Sequence, residues 1–599
     1  MIQWKAEVIS NMERKEIRIE DTWDLSGLFA DQAQFDAALK HAKQLLNQIT
    51  QAQGHITESR ESFRSFMDRQ EELQRQCENL TVYAQMRADV EPEDPQVQQN
   101  LAKSVTFVNQ AAAATTFVDQ ELIEHRNVIE TYLNAEDCAD YRYPMEETFR
   151  TIPHHPDAQT EQLLAQMSDL FQNPQKTFKA FVPEFKPVMI DGKEEFLNQA
   201  IMNQLLHNPD REIRRQAFEH FYEEYRRHQN VFCSTLIGHA QGQVLQAKLH
   251  HFSSALEASL FEDGADVPLF NQVLDMANTR YHKTFWRYNE LKKKIVGLDD
   301  CTSYDLNVPL VQAVDAHYDL DQCFEILDQA LAPLGEEYQA LLKRARAERW
   351  IDYYPHQGKR GGAYSWGTYD SNPFVLTNFT GGYDSLSTLA HELGHSMHSF
   401  FSHRANRPLL ADYRIFVAEV ASTVNEVLLN QYMLQNSDDP KMKASLLYNM
   451  LEQLVGTLYR QPMFAQFEAW LHEQLEAGQA LSSSDLTDYY YKLNQDYYGP
   501  SVTVHELEKY KCYSVPHFYY NFYVYKYTIG MSVALSFASR ILRGETEAYL
   551  RFLTRGGSCA PIDQLVEAGA DPRGEQVYDD AFRYFEETLD QFEKLMREI

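Results

Sequence analysis

Apolar residues recur at three- and four-residue spacing along most of this 599-residue chain, a pattern that predicts helices almost throughout. Over residues 31–134 the periodicity runs through polar stretches rich in Gln and Glu, with breaks near Gly54 and at Pro92 and Pro95. Two or three antiparallel helices are predicted there. The alanine run 111–114 adds helix propensity and a thin side suited to close helix packing. Pro144, Pro153, Pro156, Pro174, Pro183 and Pro187 then cut the chain into shorter elements, and Val188, Met189, Ile190, Asp191 and Gly192 read as a small hairpin. Helical periodicity returns after Asn208 and Pro209 as far as Leu249, and again over residues 267–296. No repeat of fixed period is present, which disfavours a solenoid.

Residues 350–382 break the helical pattern. They are rich in Gly, Tyr, Ser, Thr and Asn, and the alternation over 363–377 predicts strands and loops. This island leads directly into a helix predicted to begin near Asp384 or Ser385. The fold class expected from the pattern is mainly α, with a small β-sheet beside that helix.

Charge narrows the function classes. With 55 basic and 87 acidic side chains the net charge is −32, which repels nucleic acid and anionic membranes, so neither is an expected partner. The run Lys292, Lys293 and Lys294 reads as a solvated helix face. Seven scattered cysteines, odd in number and never spaced as C-x-x-C, read as reduced thiols. Residues 1–29 carry charges throughout and lack the apolar segment of a secretory signal, and no later run reaches the roughly 18 apolar residues of a membrane span. A cytoplasmic location is expected.

The chemistry concentrates at His391, Glu392, Leu393, Gly394 and His395, which spell H-E-x-x-H. Side chains four apart on a helix project from one face, so both imidazoles can share a metal ion, while Leu386, Leu389, Leu393, Met397 and Phe400 form an apolar stripe that seats the helix. Glu392 can then reach a water on the metal and act as general base. His505, Glu506 and Leu507 repeat the opening of the motif, but Lys509 stands where the second histidine should be, so that copy cannot chelate. A catalytic zinc takes three protein ligands, and the predicted helix over 413–434 offers Glu419 as the third, among Phe416, Val417, Val420 and Ala421. Glu426, on the same face, fits a carboxylate that orients a ligand histidine, although from sequence the two glutamates can exchange roles. His398 and His403 are read as structural or exposed.

H-E-L-G-H at 391–395, followed by F-V-A-E-V-A-S-T-V-N-E at 416–426, resembles the M3 metallopeptidases of the oligoendopeptidase F type. The resemblance extends to W-I-D from Trp350, G-K-R-G-G-A-Y-S from Gly358, Y-Y-G-P from Tyr497, P-H-F-Y-Y-N-F-Y-V-Y-K-Y from Pro516 and the opening D-T-W-D-L from Asp21. It implies a zinc endopeptidase acting on short unstructured peptides, with one Zn2+ on His391, His395 and Glu419 and with Glu392 activating the water. It also implies a two-lobed helical fold enclosing a deep substrate channel, here expected as an N-terminal lobe over 1–195 and a catalytic domain over 196–599.

In the tyrosine-rich segment, a helix would place Tyr520, Tyr523 and Tyr527 on one face with His517 a turn earlier, while Tyr519 and Tyr525 offer alternative registers. By resemblance, His517 with Tyr520 or Tyr527 donates to the oxyanion, and such donors contribute about 3 kcal/mol each. Tyr523 is expected to bind substrate. Gly362, Ala363 and Tyr364 form a small-residue strand edge on which a peptide backbone can pair as an added strand. Two other readings are a helical metallocarboxypeptidase and a non-catalytic helical scaffold. Against the scaffold, closed structural metal sites favour cysteines.

Overall fold

Asp31, Ser59 and Asp94 each start one of the long helices of the N-terminal region, Gln32–Gln51, Arg60–Val90 and Pro95–Ala114, in the computed structural model of the chain. Each side chain accepts a backbone N–H of its helix's first turn, at 2.9, 3.1 and 2.7 Å for Gln34, Ser62 and Gln96. The structure describes residues 13–311, 314 and 316–599. The first twelve residues, part of the 1–29 stretch weighed above for a secretory signal, lie outside the described residues. Contacts divide the chain into two discontinuous units: Met1–Pro153, Asp315–Tyr432 and Phe537–Gly569 form the first, and His154–Val314, Met433–Ser536 and Ala570–Ile599 the second. The boundary expected at residue 195 falls inside a segment of the second unit.

The first unit's core is built on the apolar faces of the three long helices, with Phe35, Leu46, Ile49, Phe63, Phe66, Leu80 and Phe107 buried together and Phe374 and Leu376 joining them. Burying each such side chain contributes about 1.5–3 kcal/mol. Of the alanine run, only Ala111 is buried, on the same helix face as Val97, Asn100, Ser104 and Phe107; Ala112 and Ala113 lie off that face and meet solvent.

Phe374 and Leu376 belong to the three-stranded sheet expected in the 350–382 island. Phe374–Leu376 is its middle strand, parallel to Ile351–Asp352 and antiparallel to Tyr364–Trp366, with Ser365 opposite Val375. The loop before the edge strand is pinned from below. Lys359, its side chain fully buried, bonds the Asp352 carboxylate at 2.7 Å and the Asp352 and Tyr354 carbonyls at 3.2 and 2.8 Å, so every hydrogen of its ammonium is used. The Arg14 guanidinium also meets Asp352, at 2.5 Å.

The second unit is also helical. The hairpin forms as expected, Val188–Ile190 pairing antiparallel with Lys193–Glu195 around Asp191 and Gly192, both at positive φ. The helix expected up to Leu249 is two, Arg211–Arg227 and Gln229–Leu249, meeting at His228. The one expected over 267–296 is interrupted by a π turn at Met276–Arg280. Lys292 corrects the reading of the lysine run: it is buried, 2.6 Å from the Glu452 carboxylate and 2.6 Å from the Leu306 carbonyl, while Lys294 faces solvent. The helix turns Lys292 inward, so a run of like charges in sequence is not a patch in space. The seven cysteines are free thiols. Among the described residues no helix is long and apolar enough to cross a membrane.

Candidate metal centre

The helix Tyr383–Ala405 follows the sheet and carries the H-E-x-x-H residues. Leu386, Leu389, Leu393 and Met397 are buried along it, as the stripe predicts. With the helix seated, His391 and His395 turn the same way and their Nε2 atoms lie 3.2 Å apart. The helix Ile415–Asn436 brings Glu419 to them, its Oε2 at 3.4 Å from His391 Nε2 and 3.7 Å from His395 Nε2. These three donor atoms lie within 4.8 Å of one another.

The approach of the two helices depends on residues that sequence reasoning missed. At Gly394 a Cβ would stand 2.6 Å from Ser422 Cα and 2.7 Å from the Ala421 carbonyl oxygen, so a side chain there would force the helices apart. Asn425 bolts them together: its amide donates to the Ala390 carbonyl at 3.0 Å and accepts from the Tyr338 hydroxyl at 2.9 Å. Sequence offered little signal for it, since Asn425 stands among Ser422, Thr423 and Glu426; only its complete burial in the fold shows that it must find partners.

Hydrogen bonds set both imidazoles. Glu426 Oε1 accepts from His391 Nδ1 at 2.7 Å, and the Ala418 carbonyl accepts from the His395 ring, which leaves both Nε2 lone pairs directed at Glu419. Two lone pairs and a carboxylate oxygen at this spacing repel unless positive charge sits among them. His391 registers that field: burial opposes its charge, yet the Glu426 hydrogen bond and the surrounding carboxylates push its pKa up to about 9. Burial, with charge on His391, pulls His395 down to about 4. Two nitrogens and one carboxylate oxygen are the donor set of an open zinc site, so the residues fit that ion.

Glu392 is buried beside this cluster. Burial pushes its pKa up to about 7 against the pull of His391, and the Ser365 backbone N–H hydrogen-bonds its carboxylate. That contact places the general-base candidate against the sheet edge. Val375 and Thr377 donate to the Trp350 and Asp352 carbonyls, so Phe374 and Leu376 face the edge strand and Ser365 turns its backbone groups outward, while Gly362 and Ala363 precede the strand rather than lying in it. Ser365 Oγ and Ser396 Oγ are 2.8 Å apart and tie the strand to the helix one turn after Glu392. Gly362, at φ +83°, gives its carbonyl to Asn378, and the Tyr364 hydroxyl donates to Asp89 at 2.8 Å. His398 is wholly buried and stacked on Tyr413 at 3.7 Å. His505 caps a short helix and lies 3.4 Å from Glu219.

The tyrosine-rich segment belongs to the second unit and is not the single helix expected. A short 3-10 turn, Pro516–Tyr519, is followed by Asn521 and Phe522 in the left-handed region at φ 56° and 53°, and the α-helix begins only at Tyr525. The reversal still gathers the selected rings: His517 lies 5.7 Å from Tyr520 and 6.2 Å from Tyr527, and Tyr523 5.4 Å from Tyr527. The two alternatives are engaged elsewhere. Tyr519 is buried, bonded to Thr235 and stacked on Phe178, and Tyr525 is buried against Asp263.

A predominantly helical fold, with two histidines four apart on one helix, a glutamate from the next and a further glutamate beside the first histidine, defines a helical metallopeptidase. The chain belongs to peptidase family M3, whose family profile matches residues 204–584, with a second profile, Oligopeptidase F, matching residues 125–182. It is 33% identical to Oligopeptidase PepF of Bacillus subtilis across 98% of this chain and 89% of that protein, and 33% identical to Group B oligopeptidase PepB of Streptococcus agalactiae across 97% and 98%. Among solved structures it is similar to a putative peptidase from Chlamydophila abortus, with a TM-score of 0.91 and 30% identity over 98% of this chain and 100% of that one. It is also similar to oligoendopeptidase-F from Enterococcus faecium, with a TM-score of 0.73 and 29% identity over 94% and 99%.

Proposed function

We propose that this peptidase is a zinc-dependent endopeptidase that cuts internal bonds of short, unstructured oligopeptides in the cytoplasm. The observation that carries the reading is the convergence of His391 Nε2, His395 Nε2 and Glu419 Oε2 within 4.8 Å, with Glu392 buried beside them. His391, His395 and Glu419 would hold one Zn2+, which when bound polarises the scissile carbonyl and acidifies water. Glu426 keeps the His391 ring in the tautomer that binds metal through Nε2. Glu392 takes a proton from the attacking water and passes it to the leaving amine, a transfer that its raised proton affinity suits. His517, with Tyr520 or Tyr527, donates hydrogen bonds to the oxygen that gains negative charge. The backbone of Ala363, next to Gly362 and Tyr364 at the start of the edge strand, pairs with the substrate main chain, and Tyr523 contacts substrate. Recognition of backbone rather than side chains gives broad sequence tolerance. The names of the relatives support oligopeptides as the substrate class, and seven free thiols support a reducing compartment.

A timed digestion of unrelated peptides, from five residues up to a small folded protein, tests this by mass spectrometry with and without a chelator. Chelator-sensitive internal fragments from the short peptides alone are expected. A ladder of single C-terminal losses would mean a carboxypeptidase, and no cleavage after zinc is restored would overturn the catalytic reading.

A further inference from the structure

Asn521 and Phe522 are two consecutive non-glycine residues in the left-handed region, at φ 56° and 53°. Asparagine tolerates that conformation, but phenylalanine seldom adopts it, so surrounding contacts must hold the pair in place. They come from both sides. Ser259 Oγ donates to the Asn521 carbonyl at 2.8 Å, and the Phe522 N–H donates to Glu468 Oε1 at 2.7 Å. The Phe522 ring is buried 4.6 Å from His472 and 6.0 Å from Phe270. Glu468 itself is 1% exposed on the helix Gln461–Glu476, and its second oxygen has no hydrogen-bond partner among the described residues. Burial pushes its pKa up to about 8, with only the Phe522 N–H pulling the other way.

A carboxyl group in this position is chemically specific. An apolar side chain would leave the buried Phe522 N–H unpaired, and a shorter acid would pull the acceptor back from it. The turn it holds also sets the geometry of the ring cluster. His517 and Tyr520 precede the left-handed pair, Tyr523 and Tyr527 follow it, and the reversal at Asn521 and Phe522 is what brings Tyr527 to 6.2 Å from His517.

We infer that Glu468 is a positioning residue for the peptidase reaction: its carboxyl group, by accepting the Phe522 N–H, fixes the left-handed turn that aligns His517 and Tyr520 with Tyr523 and Tyr527. This rests on the reading of His517 and the tyrosines as transition-state donors. Glu468 acts through the backbone of Phe522 and touches no substrate. Small displacements of aligned groups cost rate far more than binding, so the effect belongs in kcat.

The test uses the metal-loaded full-length enzyme and an internally quenched peptide. Glu468→Asp is expected to lower kcat by tenfold or more with KM within threefold, intact metal stoichiometry and a cooperative melt. Glu468→Gln, which keeps the acceptor and the length, should retain kcat within threefold. His517→Phe and Tyr527→Phe serve as reference variants. Loss of kcat in these beside a wild-type Glu468→Asp overturns the positioning role alone. Unchanged kcat in both reference variants overturns the donor reading and the inference with it. A folded Glu468→Gln that is as slow as Glu468→Asp shows that more than a neutral acceptor is required, and also overturns it.

Discussion

Glu392 and Glu426 lie within a few ångströms of the same histidine and do different work there. Glu426 accepts from His391 Nδ1 and would act on a metal only through that ring, whereas Glu392 stands outside the three converging donors and is held by the Ser365 N–H. The two should therefore separate experimentally. Glu392→Gln is expected to keep stoichiometric metal and lose 10²–10⁴-fold in kcat, the usual worth of a general base. Glu426→Gln is expected to weaken metal affinity about 10–100-fold in a chelator competition, with much of the turnover recovered at saturating metal. Normal turnover in the first, or unchanged affinity in the second, would reverse these roles.

At the scale of elements, the metal helix was legible because its information is local. Two histidines four apart, a glutamate beside the first and an apolar stripe at helical spacing need only the 3.6-residue period to become a site, and the helix Tyr383–Ala405 starts within two residues of the expected position. The tyrosine segment was not legible as a helix, because its conformation is imposed by Glu468 and Ser259, tens to hundreds of residues away in sequence. Lys292 was misread for the same reason, its partner Glu452 being on a distant helix. The Glu468 contact also has a thermodynamic signature. Its proton affinity is raised on folding, from an ordinary value of 4.5 to about 8, so its contribution is fully present below pH 4.5 and is lost as pH climbs towards 8. His472, the nearest titratable neighbour on its helix, is pulled down to about 4 by burial and stays neutral over that window. Each pH unit between the two values is worth roughly 1.4 kcal/mol. Denaturant melts should find the stability of Glu468→Gln rising relative to wild type from pH 5 to pH 8, with the difference levelling off above that. A difference independent of pH would mean that the group is not buried neutral.

For the whole molecule, the determining fact is that each unit is assembled from three separated stretches of chain. The core of the first unit joins helices before residue 115 to the strand at 374–376, and its three candidate metal donors lie at 391, 395 and 419. A fragment of residues 196–599 retains every predicted ligand and lacks the first 153 residues of that unit. It is expected to show no cooperative melt and to bind zinc at least tenfold more weakly than the full chain, as calorimetry and chelator competition can establish; tight binding by the fragment would show that the centre needs only its own two helices. The same interleaving bears on biosynthesis. During translation the first unit cannot close until residue 569 has emerged, roughly 9–35 s after the second histidine of its metal centre at common elongation rates. For that interval the nascent chain carries its H-E-x-x-H segment without the framework that completes the unit, so the timing of the metal centre's assembly is set by the last stretch of its unit rather than by the segment that supplies the ligands.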